Sequence, residues 1–179
     1  SKNSELSIVA LGAIDDFEIN KEVNDGETDL ETIKRNKVIL NSVPVNSQWN
    51  YTVGASYKYF APNSTHLVVL SRNEWKNKAV KYFLNEEIPA NLLLDYSSKE
   101  IENKLRYENS FESDNKIDFN LGFNLETARY TNNNYQKNAN SDGVVIYDFN
   151  SAIDFVKYGV FGQVSKRYLD EKLGVSLGF

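Results

Sequence analysis

Between residues 116 and 130, apolar and polar side chains alternate one for one. Ile117, Phe119, Leu121, Phe123 and Leu125 interleave with Asp118, Asn120, Gly122, Asn124 and Glu126. A period of two places each set on its own face of an extended strand, whereas a helix would scatter both around its circumference. The stretch therefore predicts a strand with one apolar and one polar face. Residues 99–111 repeat the pattern, with Ile101, Leu105, Tyr107 and Phe111 opposed to Glu100, Glu102, Lys104, Arg106 and Glu108. Residues 48–60 set Trp49, Tyr51, Val53, Ala55, Tyr57 and Tyr59 against Asn50, Thr52, Gly54, Ser56 and Lys58.

Further strands are expected over residues 5–17 and 65–75, around Tyr158, Val160, Gly162, Val164 and Tyr168, and over 173–179. That makes seven, the last one short. Residues 67–70, Leu-Val-Val-Leu, are apolar on both faces, so their register is less sharply specified. The connections divide into short ones (61–64, 112–115, 169–172) and long polar ones (20–43, 74–96, 131–150). An up-and-down antiparallel sheet with two unlike ends follows, the arrangement of transmembrane β-barrels with short periplasmic turns and longer outer loops. Strands of about 13 to 17 residues exceed the usual five or six of globular sheets, and a tilted membrane strand needs about 9 to 11 within the hydrocarbon.

Small aliphatics at the centre of 48–60, with aromatics at both ends, fit a lipid-facing stripe between interfacial girdles. A cross-strand aromatic cluster would use the same residues. The expected lipid-facing set is Trp49, Tyr51, Val53, Tyr57, Ile117, Phe119, Leu121, Phe123, Leu125, Tyr158, Val160 and Val164. The expected lumen-facing set is Glu100, Glu102, Lys104, Arg106, Glu108, Asp118, Asn120, Asn124 and Glu126. In a soluble sandwich the apolar set would instead close into a core, and the polar set would be its wet side.

Composition narrows the function. The 179 residues are 41% hydrophobic and 13% aromatic, with a net charge of −5 and no basic run, which argues against nucleic acid as a partner. Cysteine is absent and His66 is the single histidine, so disulfides, thiolate sites and multi-histidine metal sites are excluded. No run of about 18 apolar residues suggests a membrane helix, which leaves a barrel open. The lack of methionine and the strand pattern reaching Phe179 suggest a piece of something longer.

Candidate sites are few. Residues 24–29 lie in an acidic stretch but lack the carboxylate spacing of a calcium loop. Asn132, Asn133 and Asn134 with Tyr130 and Tyr135 form a segment able to meet sugars or peptides, and equally ordinary turn chemistry. His66 with Ser64, Ser71 or Asp95 invites comparison with a triad, but nothing in the sequence orients them. Glu100, Glu102 and Glu108 are spaced as on any charged strand face. No catalytic residue, cofactor or metal is expected.

The segments 11–17 (LGAIDDF), 48–54 (QWNYTVG) and 158–179 (YGVFGQVSKRYLDEKLGVSLGF) resemble barrel segments of TonB-dependent outer-membrane receptors, in the Asn-rich style of Bacteroidetes-type versions. The resemblance implies a 22-stranded barrel with an N-terminal plug, of which residues 1–179 would supply about seven strands and neither plug nor TonB box. It implies import of a scarce nutrient of siderophore, glycan or peptide class. The implied partners are outer-membrane lipid, the remaining barrel and plug, TonB through a missing N-terminal region, and a surface lipoprotein. Two alternatives remain: a soluble sheet that binds glycan or peptide through its loops, and a passive outer-membrane pore.

Overall fold

A computed structural model describes residues 2–113, 115–141, 143–169 and 172–179. The chain forms seven strands in one antiparallel sheet whose spatial order is the order of the sequence. They are β1 (Ser4–Asp16), β2 (Val45–Ala61), β3 (Ser64–Tyr82), β4 (Leu92–Ser113), β5 (Ile117–Asn140), β6 (Gly143–Tyr168) and β7 (Leu173–Gly178). The strands rise from 13 residues in β1 to 26 in β6, and the sheet does not close on itself. A single α-helix, α1 (Leu30–Ser42), interrupts the connection from β1 to β2.

The expected alternation of short and long connections gives way here. Residues 74–96 are not a loop: β3 continues to Tyr82, two short 3-10 turns follow at Phe83–Asn85 and Pro89–Asn91, and β4 begins at Leu92. Nor are residues 131–150, where β5 and β6 stay paired to Asn140↔Gly143. That leaves Ser141 and Asp142 as the link, with Asp142 outside the described residues. The period-two signal fades in these segments because the two faces carry similar side chains, mostly polar over 131–138 and apolar over 92–94 and 144–147. Of the expected short connections, 61–64 tightens to Pro62-Asn63. The other two include Asp114, and Asp170 with Glu171, which lie outside the described residues.

The helix went unforeseen within the expected long link 20–43. Asp29 caps it, its carboxylate accepting from the Glu31 and Thr32 backbone N–H groups and from the Thr32 hydroxyl at 2.6 Å. Glu27 Oε1 accepts from the Thr28 and Asp29 N–H groups. These bonds to the charged form hold both carboxyls below their usual range. Two of the acids in the supposed calcium-like segment are thus engaged with backbone. At its other end α1 has no basic residue of its own. Lys81 of β3 supplies one, donating to the Leu40 and Val43 carbonyls at 2.8 and 3.0 Å and to Asn85 Oδ1 at 2.6 Å. A cation there meets the negative end of the helix dipole.

Among the described residues, Ala128 is the single buried apolar side chain. The accessible surface is 13148 Å². A compact monomer of 20.5 kDa would expose about 8,800 Å². The sheet therefore has no core of its own.

Candidate functional site: a two-faced wall

Directly opposed residues in an antiparallel pair project to the same side, so the register sorts every side chain. Ile8, Ala55, Leu70, Leu105, Leu125 and Tyr158 form one continuous row from β1 to β6. Every expected lipid-facing residue lies on the face of this row, from Trp49, Tyr51, Val53 and Tyr57 through 117–125 to Tyr158, Val160 and Val164. Every expected lumen-facing residue, from Glu100 to Glu126, lies on the other.

Several apolar side chains are more exposed than the carboxylates on the opposite face. On the central strands Leu70, Leu121 and Phe123 are 55%, 43% and 41% exposed. On the opposite face the side chains of Glu102, Glu108 and Glu126 are 19%, 19% and 22% exposed. The carboxylates are sheltered by the cations that meet them, Lys104, Arg106 and Lys157, whose own side chains are 47%, 46% and 65% exposed.

The polar face is an ion-pair ladder. Glu126 sits between its two cross-strand partners, Lys157 at 3.1 Å and Lys104 at 3.7 Å, and Lys104 also meets Glu102 at 2.8 Å. One turn of the pleat lower, Arg106 pairs with Glu108 at 2.8 Å, and Glu108 accepts from Asn120 Nδ2 at 2.8 Å. The Arg106 guanidinium lies 4.6 Å from the centroid of Phe161. That ring covers Gly122, where a Cβ would collide with the ring and with the Tyr107 carbonyl. Gly122 is thus required by close approach of a neighbour. The apolar pair Leu67 and Val69, on this same face, lies beside the stems of Lys58, Glu108 and Arg106. Sequence reasoning passed over Lys157 and Phe161, although the alternation of 158, 160 and 162 implies their side.

Glu100 shares a row with Trp75 and Tyr130, Asp118 lies toward the Pro62-Asn63 end, and Asn124 stands beside the ladder. The carboxylates of the ladder each face a cation, which leaves none poised as an acid–base pair. His66 lies on the apolar face. Its Nε2 meets Ser64 Oγ at 3.1 Å, while Nδ1 meets the Tyr107 hydroxyl and Asn109 Nδ2, both at 2.9 Å. Ser71 points to the other face, and Asp95 is paired with Val80 far up the strand. The geometry is a polar cluster between the Tyr59 and Tyr107 rings.

The apolar stretch crosses the strands obliquely. On β5 its middle is Leu121, whose row runs through Asn109, His66 and Tyr59 to Ser4. On β1 the stretch is Leu6, Ile8, Ala10, Gly12 and Ile14, with its middle six residues farther on, at Ala10. At about 3.3 Å per residue this is about 20 Å of slide across about 19 Å of sheet, an inclination of about 45°. From Trp49 to Tyr59 the stripe on β2 then has a height of about 23 Å measured across the band.

No protein-family model, no curated protein and no solved structure matches the chain.

Proposed function

We propose that this chain is a section of the wall of a transport barrel in the bacterial outer membrane. Its apolar face meets lipid, and its polar face meets the lumen and a plug. The observation that carries this reading is the oblique band of exposed apolar side chains on one face. Strands of membrane barrels tilt by about 35–45°, and their apolar band is about 25 Å tall, close to both values obtained from the register. An aligned core stripe of a soluble sandwich has no reason to slide by a residue or more at each strand. The accessible surface, well above that of a compact monomer, adds support, because an uncovered apolar face of this size needs a solvent of its own kind.

The open edge of β6 also fits this role. β7 pairs with β6 only over Gln163–Tyr168 and at Phe179, so the β6 edge over residues 143–161 has no strand on its other side among the described residues. Open edges are not tolerated in lipid, so further strands of the same barrel would continue the wall. Within such a barrel the ladder from Glu102 to Lys157 suits a plugged lumen, where each charge is already neutralised and a neighbouring domain can pack without leaving one unpaired.

The receptor type is the TonB-dependent one that segments 11–17, 48–54 and 158–179 resemble. Its task would be the energised import of a scarce nutrient, with TonB and a surface lipoprotein as partners.

Two measurements test the proposal. The purified protein should need detergent or bilayer to remain monodisperse, and a compact monomer in plain buffer would contradict the membrane reading. Uptake by cells carrying the whole receptor should stop when the inner-membrane proton gradient is collapsed. Uptake that persists would assign the wall to a passive pore.

A further inference from the structure

We infer that the apolar face carries a seat for one anionic lipid, with its acyl chain in a groove across β2 to β5 and its phosphate on the cations above that groove. The inference rests on the membrane reading and goes beyond it. The groove is a shallow, open depression of about 450 Å³, lined by Val53, Ala55, Leu70, Leu105 and Leu125 with Ile8 of β1 at its margin. Arg72 and Asn103 form its upper end, joined at 3.1 Å.

Above that end the face changes character. Arg72, Lys76, Lys78, Lys99 and Arg129 all project there, against Glu74 and Asp154, with Asp16 in the row of Lys78 and Asp95 one pleat above it. Arg72 and Lys99 are paired with Glu74 and Arg129 with Asp154, which leaves Lys76 as the cation with no acid beside it in its row. Glu74, buried, organises the cluster, taking Lys99 at 2.7 Å, Arg72 at 3.1 Å and the Tyr51 hydroxyl at 3.0 Å. Lys76 and Lys99 are direct cross-strand partners. Like charges so placed repel, and Glu74 answers only one of them. An anion between them would remove the conflict.

Trp49 and Tyr51, stacked at 6.1 Å, flank the patch on β2. Aromatic rings of this kind sit at headgroup level, so the cations stand where lipid phosphates lie. An apolar groove running up to a cationic shelf fits a molecule with an acyl chain at one end and a phosphate at the other. A soluble phosphate fits the shelf alone.

The test uses the purified protein in detergent, stripped of lipid and offered phosphatidylglycerol and phosphatidylcholine with matched chains, with retained lipid read by native mass spectrometry. Phosphatidylglycerol should be kept in preference. Each cation near a membrane surface contributes about fivefold to binding of an anionic headgroup, so Lys76→Gln should lower its retention about fivefold and leave phosphatidylcholine unchanged. Lys76 is exposed and makes no ion pair among the described residues, so its loss leaves the fold intact. Equal retention of the two lipids, or an unchanged preference in Lys76→Gln, would overturn the seat. So would competition by glycerol phosphate as strong as that of the intact lipid. A protein that inserts into bilayers yet holds both lipids alike loses only this seat, whereas one soluble without detergent loses the membrane reading beneath it.

Discussion

On β5, Leu121 and Asn124 belong to one strand and stand on opposite faces, yet their surroundings follow contrary rules. Around Leu121 the apolar neighbours Phe123 and Leu125 are exposed, while Phe119 stacks on Phe111. Around Asn124 the charges of Arg106, Glu126 and Lys157 draw together. A soluble sheet would bury the first set and wet the second. Here Leu121, Phe123 and Leu125 stand exposed, and the proposed contact with lipid rests on that departure.

The largest expected effect breaks this contrast directly. In a bilayer, Leu121→Arg should cost about 2 to 4 kcal/mol if the residue lies near the midplane. Asn124→Arg, on the other face, should cost less than about 0.5 kcal/mol, the range of ordinary surface substitutions. Reversible unfolding by denaturant in lipid vesicles gives both values, and equal costs would remove the distinction between faces. Next in size, Gly122→Ala should cost about 1 to 3 kcal/mol by overpacking against Phe161 and the Tyr107 carbonyl. Gly159→Ala is its control, since a Cβ there meets nothing within 4 Å.

The strand alternation was readable from residue order because, over 48–60, 99–111 and 117–126, each face has one environment. Pairing then carried the sorting of faces to every residue named for either side. Reading stopped where the two faces are alike: residues 131–140 are mostly polar on both and 144–147 apolar on both, so neither stretch shows a period of two in polarity. The helix is legible at both ends, with N-cap Asp29 followed by Glu31 and Thr32, and Pro44 directly after the extended C-cap Val43. What residue order hides is that Lys81, forty residues away, meets its last carbonyls. The ladder's partners were equally hidden, because register decides that Lys157 rather than another lysine meets Glu126.

Smaller effects separate the wall from this upper region. Replacing Lys81 by Met should free the end of α1 and speed amide exchange across 30–42, with exchange in β4 and β5 unchanged. Loss of protection throughout the sheet would show that helix and wall unfold as one unit. Acid should act in the same place. Glu27 and Asp29 have carboxyl pKa values lowered by their bonds to backbone N–H groups and the Thr32 hydroxyl. Their contribution is fully present above the unfolded carboxylate values of about 4. It is lost as pH falls through the lowered folded values. Helical signal from 30–42 should therefore decline in strong acid while the sheet persists. A helix indifferent to pH would remove the capping account.

The central claim is that the exposed apolar band lies obliquely in lipid. Spin labels placed one at a time along β5 from 117 to 126 and along β1 from 4 to 14, in the protein reconstituted into bilayers, report collision with oxygen against a water-soluble relaxant. The account predicts a period of two on β5 with the deepest lipid signal at Leu121, and on β1 the deepest signal at Ala10 rather than at its row partner Ser4. Labels at Leu121 and Ala10 that meet the water-soluble agent as freely as a label at Asn124 would contradict it.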